Sequence, residues 1–129
     1  MQKIILDTNA YSAYRRGAEW VLEALGAADR VYLSVVVMAE LFYGFKLGTQ
    51  ESRNRKELLS FTKKPHVRLV QITIETADIF SDIKSQLKQA GRPIPLNDVW
   101  IAAHCVELGA KLVSEDKHFS SINGLRLWK

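Results

Sequence analysis

The stretch Lys3-Ile4-Ile5-Leu6-Asp7-Thr8-Asn9 decides the fold, because an apolar run leads directly into an acid and then stops. A continuous apolar run of this kind is typical of a strand buried on both faces of a parallel sheet. Asp7 would then lie at the carboxyl end of that strand, where open α/β sheets place their ligand sites. The alternative is that Asp7 only caps the following helix and that Asn9 is only a turn residue.

Length and composition indicate one ordinary globular domain over residues 1–129, with 47% hydrophobic and 25% charged residues. The single cysteine, Cys105, rules out an internal disulfide and has the apolar neighbours of a core residue, which suits a reducing cytoplasm. No apolar run approaches the roughly 20 residues that span a membrane. The N-terminus also lacks the order of a signal peptide, so we expect a cytoplasmic protein.

Strand and helix patterns alternate along the whole chain. Strands are predicted at residues 3–7, 31–34, 68–72 and 111–114, with an edge strand at 125–128. Helices are predicted around residues 20–26 and at 35–48, 50–64, 73–90 and 97–108, where Asn97 is the cap and Gly109 the stop. This alternation implies right-handed crossovers and predicts an α/β fold, a three-layer α/β/α sandwich with a mostly parallel sheet of about four to five strands.

The helix at residues 35–48 is expected to pack through one face. That face carries Val36, Ala39, Tyr43 and Leu47 at the spacing of a packed helix.

Four acids interrupt apolar surroundings at the ends of predicted elements. Asp7 and Asp116 follow strands, Asp98 opens a helix, and Glu40 lies inside a helix that reads as buried. Strand ends and the start of a helix packed at the same sheet edge can converge, and Glu40 joins them if its helix crosses that edge. Taken alone, Asp98 can be an acid favoured by the helix dipole, and Asp116 can be a loop residue.

A convergence of carboxylates needs a counterion, because close like charges raise each other's pKa and destabilise the fold. Hard divalent cations such as Mg²⁺ take oxygen ligands and resolve this repulsion. Without a Cys-rich or paired-His motif, zinc is disfavoured, and His104 and His118 are interpreted as surface or edge residues.

Four motifs in register give the chain a resemblance to a known family. They are Asp7-Thr8-Asn9, Ala39-Glu40-Leu41 with Gly44, Asn97-Asp98 followed by Ile101-Ala102-Ala103, and Ser114-Glu115-Asp116 before His118-Phe119. Together they resemble the PIN-domain pattern from residue 3 to residue 128. Their order and spacing are most similar to VapC toxins of bacterial type II toxin–antitoxin pairs.

The resemblance implies a Mg²⁺- or Mn²⁺-dependent endoribonuclease that cleaves RNA phosphodiesters with metal-activated water. Asp7 and Asp98 match the principal metal ligands, and Glu40 and Asp116 complete the catalytic quartet, usually through waters or a second metal. The family's carboxylate-orienting groups fall at Thr8, Asn9 and Ser114, and Ser114 stands where Thr is commoner.

The segment from residue 46 to 68 carries seven basic and two acidic residues, a net +5 against +4 for the whole chain. This is either a solvated helix face or a phosphate-binding surface. Predicted RNA contacts are Arg15, Arg16, Lys46, Arg53 and Arg55.

Aromatic residues cluster near two of the motifs. Some of them must be core, and others can line a groove for a partner's helix, from the set Tyr11, Tyr14, Phe42, Tyr43 and Phe45. The resemblance implies a VapB-like antitoxin in such a groove and pairing as a homodimer.

Three other classes compete with a nuclease. A phosphoacceptor receiver domain needs paired acids near the first strand, and Asp7 has no acidic neighbour. A haloacid-dehalogenase-type phosphatase needs Asp at position 9, where Asn stands. A non-catalytic RNA-binding module with the PIN fold stays open, although it has no reason to keep four acids.

Overall fold

The computed structural model describes residues 1–128, in which strands and helices alternate as predicted. The strands are β1 (Lys3–Leu6), β2 (Arg30–Ser34), β3 (Val67–Val70) and β4 (Lys111–Val113). The helices are α1 (Thr8–Arg15), α2 (Glu19–Ala27), α3 (Val35–Leu47), α4 (Glu51–Thr62), α5 (Ile74–Gln89) and α6 (Leu96–Leu108), followed by a 3₁₀ helix at Lys117–Ser121. None of the helices in this described part of the chain has the length and apolar character needed to cross a membrane.

The strands form one parallel sheet in the order β3-β2-β1-β4. Successive residues of a strand point to opposite faces, and both Ile4 and Ile5 of β1 are 0% exposed. The sheet is therefore covered on both faces, which confirms the predicted three-layer α/β/α fold. It also explains why β1 reads as a continuous apolar run.

The region between β1 and β2 contains two helices rather than the single one predicted. α1 begins directly after Asp7 and ends at Arg15, and α2 begins at Glu19. Gly17 between them adopts φ 77°, in the left-handed region that glycine favours and that an α-helix cannot continue.

The face through which α3 packs is not the predicted one. The buried residues are Val37, Met38 and Leu41, whereas Tyr43 is 65% and Leu47 71% exposed. Because α3 is apolar on several sides, its sequence fits more than one packed face, and the elements packed against it, which include α4, α6, α1 and β2, select between them.

The predicted edge strand at residues 125–128 is reduced to a single parallel bridge between Leu112 and Leu127. Leu112 donates its backbone N–H to the carbonyl of Arg126 at 2.8 Å, and Trp128 donates to the carbonyl of Leu112 at 2.9 Å. β4 itself has only three residues, so it offers little edge for a longer pairing.

His104 is fully buried, so its interpretation as a surface or edge residue is wrong. It lies in α6 between Ala103 and Cys105, both also buried, and α5 packs over this helix. Its Nε2 lies 3.0 Å from the carbonyl oxygen of Gln71. Burial lowers the pKa of His104 and favours the neutral ring.

Two glycine variants test the turn that ends α6. Gly109 is the predicted stop of this helix and has φ 64°, so Gly109→Ala should lower the free energy of unfolding by about 1–2 kcal/mol. Gly44→Ala is the matched control, because Gly44 lies inside α3 and an added Cβ would meet no atom within 4 Å. It should raise the stability by about 0.5–1 kcal/mol. Urea unfolding of both variants measures the difference, and equal effects would contradict the assignment of Gly109.

Candidate active site

A cavity of about 540 Å³ at the carboxyl edge of the sheet brings all four predicted acids together. Asp7 directly follows β1, and Asp116 lies three residues after β4. Asp98 is in the first turn of α6, and Glu40 is in the middle of α3. The residues lining the cavity are Asp7, Thr8, Asn9, Glu40, Pro95, Leu96, Asn97, Asp98 and Asp116.

Asp7 both caps a helix and lines the cavity, so its two sequence interpretations hold together. Its Oδ1 accepts the backbone N–H of Ala10 at 2.8 Å, which caps α1. The residue is only 4% exposed, and this burial raises the pKa of its carboxyl group. Hydrogen bonds from Ser114 and Ala10 oppose the rise, whereas the charges of Asp98 and Asp116 add to it.

Asp98 lies in the first turn of α6, and the N-cap of this helix is two residues earlier than predicted. The carbonyl of Pro95 accepts the N–H groups of Asp98 at 3.0 Å and Val99 at 3.2 Å, so Pro95 occupies the N-cap position. Asn97 is therefore inside the first turn and is not the cap. Burial raises the pKa of Asp98, the hydrogen bond and charge of His118 oppose this, and the nearby carboxylates Glu40 and Asp116 add to it.

Glu40 is fixed by a hydrogen bond to each of its carboxylate oxygens. The hydroxyl of Thr8 donates to Oε1, and the Asn97 amide donates to Oε2 at 3.2 Å. Thr8 thus has the geometry of the predicted orienting group. Asn97 makes the second of these hydrogen bonds, and its side chain does not cap α6. Asn9 lines the same cavity but has no hydrogen bond to the four acids within residues 1–128.

His118 completes the site, although the sequence suggested a surface or edge residue. Its Nε2 lies 2.7 Å from Oδ2 of Asp98, and its Nδ1 lies 2.7 Å from Oδ1 of Asp116. The available signal was its position two residues after Asp116 in the fourth motif. That signal could not show that the ring spans two acids from different elements.

The turn after β4 holds Asp116 and His118 in place. Ser114 accepts the backbone N–H of Asp116 through its hydroxyl at 3.0 Å, and Asp116 accepts that of His118 at 3.3 Å. The next residue, Phe119, is 1% exposed and anchors the 3₁₀ helix in the core. Ser114 is therefore positioned to orient two of the acids, Asp7 and Asp116.

The charge of the site is unbalanced within the described chain. Among residues 1–128, no Lys or Arg forms an ion pair with any of the four acids, and the imidazole of His118 contacts two of them. One donor atom each from Asp98, Asp116 and His118 lie within 4.8 Å of one another. A set of carboxylate oxygens without a Lys or Arg partner fits a hard divalent cation.

None of the five basic residues predicted to bind RNA lines the acid cavity. Arg15 and Arg53 pair with Glu57, and Lys46 pairs with Glu51 at 3.0 Å. The guanidinium of Arg55 lies 4.0 Å from the ring centroid of Phe42, and Arg16 is exposed at the end of α1. This basic surface, defined as Arg15, Arg16, Lys46, Arg53 and Arg55, lies outside the cavity, and part of its charge is neutralised.

The aromatic residues divide between core and surface. Tyr11 is buried against Tyr14 and Phe61, so it is not available to line a groove. Phe42 and Phe45 are partly buried against the core, and Tyr43 is largely exposed. Tyr43 and Leu47 lie four residues apart and together form the exposed apolar face of α3.

The chain is similar in sequence and in fold to known proteins. The model of the PIN domain family matches residues 4–125. Ribonuclease VapC2 of Haemophilus influenzae (strain ATCC 51907 / DSM 11121 / KW20 / Rd) is 31% identical over 98% of this chain and 96% of its own. A chain in the crystal structure of VapBC2 from Rickettsia felis, bound to a DNA fragment from their promoter, matches with TM-score 0.85 and 25% identity, covering 98% of both chains. DNA-bound VapBC from Salmonella typhimurium shares the fold, with TM-score 0.87 and 24% identity over 99% of this chain and 98% of the matched one.

The burial of Asp7 leads to a prediction about stability. In the metal-free protein at pH 7, Asp7→Asn should raise the free energy of unfolding by about 1 kcal/mol, because it removes a buried charge and Asn can also cap α1. The pKa of Asp7 is higher in the folded state than its ordinary value of 3.8. The charged carboxylate therefore destabilises the wild-type protein at pH values above the folded-state pKa. It should fade as the pH falls through the raised pKa towards 3.8, because the folded protein then binds the proton more readily.

Thermal melts of wild type and Asp7→Asn in EDTA, from pH 7 down to pH 4, measure this effect. Asp82→Asn, which removes an exposed acid from α5, is the matched control and should leave the melting temperature nearly unchanged. A lower melting temperature for Asp7→Asn at pH 7 would show that the charge is already compensated without metal.

Proposed function

The chain belongs to the PIN domain family, and we propose that it is a divalent-metal-dependent endoribonuclease acting as the toxin of a VapBC-type toxin–antitoxin pair. The observation that carries the proposal is the set of four carboxylates around one cavity without a Lys or Arg partner in residues 1–128. The relative from Haemophilus influenzae, which aligns over nearly the whole chain, is named a ribonuclease. The proposal treats residues 1–129 as a single PIN domain.

Asp7, Asp98 and Asp116 are the residues that would hold Mg²⁺, or Mn²⁺ in its place. They come from two strand ends and a helix start, so the sheet edge presents their oxygens to the same cavity. When bound, such an ion supplies Lewis-acid chemistry that neutralises charge on a phosphodiester and acidifies water.

Glu40 is the residue assigned to the attacking water. Its two hydrogen bonds, from Thr8 and Asn97, restrict rotation of the carboxylate at the cavity wall. A carboxylate held in this way can orient a water molecule and accept its proton as the water attacks phosphorus. Thr8, Asn97 and Ser114 act through the acids that they contact and are positioning residues.

Partner binding belongs to the same proposal. The Rickettsia felis and Salmonella typhimurium neighbours are VapBC complexes, in which a VapC chain occurs with VapB. For this chain we propose a VapB-like antitoxin that covers the exposed apolar face of α3 and blocks the acid cavity, and a homodimeric toxin. Burial of Tyr43 and Leu47 would supply apolar contact area to a partner's helix.

RNA cleavage depends on the acids and on the ion. Purified, antitoxin-free wild type should cleave a total-RNA pool into discrete products with Mg²⁺, and Asp98→Asn should reduce this to the level of the wild type in excess EDTA. Glu40→Gln should lower the cleavage rate by about 10²–10⁴-fold and change metal affinity less than Asp98→Asn does. Asp82→Asn is the control for removal of an acid and should cleave like wild type.

Circular dichroism establishes that each variant is folded. Undiminished cleavage by folded Asp98→Asn would exclude Asp98 from the site. No cleavage by folded wild type with Mg²⁺ or Mn²⁺ would favour the alternative, a non-catalytic RNA-binding module.

The basic surface can be tested through the salt dependence of RNA binding. In the Asp98→Asn background, which prevents turnover, Arg55→Gln should weaken RNA binding and reduce the slope of log K against log salt by about 1. Arg126→Gln is the control. Arg126 is exposed beside β4, the last strand of the sheet, and its guanidinium donates to the carbonyl of Gly109. Equal slopes in both variants would remove Arg55 from the RNA-binding surface.

A further inference from the structure

We propose that His118 is a nitrogen ligand of the metal site, which makes the site more favourable to Mn²⁺ than carboxylates alone would be. The proposal rests on the metal site of the proposed function and assigns it a residue outside the acidic quartet. It starts from the position of the imidazole ring, whose two nitrogens each lie 2.7 Å from a carboxylate oxygen of the cavity.

The backbone at His118 is held by contacts of the residues on both sides of it. Asp116 caps the 3₁₀ helix by accepting the backbone N–H of His118, and Phe119 fixes the same turn in the core. The ring of His118 also contacts that of Phe119, with centroids 5.0 Å apart. The imidazole is thus presented to Asp98 and Asp116 by a turn that is anchored on both sides.

The ring is placed as metal-binding histidines usually are. Donor atoms of His118, Asp98 and Asp116 all lie within 4.8 Å of one another, which is close enough for one ion to contact all three after small side-chain movements. A histidine that binds a metal through one nitrogen commonly donates the other N–H to a carboxylate. Here either nitrogen can bind the ion while the other keeps its carboxylate partner.

The mixed donor set bears on which ion is preferred. Mg²⁺ favours oxygen ligands and keeps several waters, whereas imidazole is a better ligand for first-row transition ions. Carboxylates together with one imidazole therefore favour Mn²⁺ relative to a set of carboxylates alone. The competing role for His118 is a hydrogen-bonded bridge between Asp98 and Asp116 that does not bind the metal. Such a bridge would be displaced when the ion binds.

Pulsed electron paramagnetic resonance of Mn²⁺ separates these roles, because it detects ¹⁴N bound to the ion. The full chain, freed of antitoxin and without RNA, should show ¹⁴N modulation at its bound Mn²⁺. His118→Gln should lose the modulation and bind Mn²⁺ about 10–100-fold more weakly, with a much smaller change for Mg²⁺ measured by competition. His66→Gln is the matched control, since His66 is exposed in the turn before β3, and it should keep both properties.

A second measurement covers the case in which His118→Gln does not fold. Labelling the unmodified chain with ¹⁵N-histidine should convert the ¹⁴N pattern into a ¹⁵N pattern. Bound Mn²⁺ without nitrogen modulation, or modulation that persists in folded His118→Gln, would overturn the role of His118 while metal-dependent cleavage could still stand. Failure of the wild type to bind Mn²⁺ or Mg²⁺ at all would overturn both this inference and the proposed metal-dependent nuclease.

Discussion

Electrostatic repulsion among four carboxylates at one edge of the sheet is the constraint around which this structure is arranged. Two of these groups, Asp7 and Asp98, are sufficiently removed from water for burial to raise their pKa values. The chain restrains the acids with neutral donors, namely the hydroxyls of Thr8 and Ser114 and the amide of Asn97, and with the single ring of His118. The fold thus holds the acids in position without a Lys or Arg partner among residues 1–128.

The parallel sheet is what makes this arrangement possible. Strands that run in one direction end at one edge, so acids far apart in sequence, such as Asp7 and Asp116, arrive at the same cavity. The fully buried β1 supplies a rigid base, and α6 and α3 bring Asp98 and Glu40 from the sides. Grouping the carboxylates at this edge therefore costs folding stability, which is common at functional sites.

The sequence predicts the sheet, its direction and the meeting of the acids, because these follow from local patterns: an apolar run, a strand end and a helix start. It does not predict features that depend on packing between elements. α3 is apolar on several sides, so only its neighbours decide that Val37 and Leu41 are buried and Tyr43 is exposed. The contact of His118 with Asp98 joins residues 20 positions apart, and no periodicity marks such a contact. The side chain of Asn97 likewise reaches Glu40 only because Pro95 takes the cap position.

The double role of Asp7 has an evolutionary consequence. Asn can still cap α1, and it lacks the buried charge that works against the fold, so Asp7→Asn removes a proposed metal ligand without removing a contact that stabilises the fold. One nucleotide transition converts an Asp codon into an Asn codon. For the proposed nuclease, this is a short mutational route to an inactive chain that still folds. Inactive alleles of this kind would persist as folded protein rather than disappear by degradation.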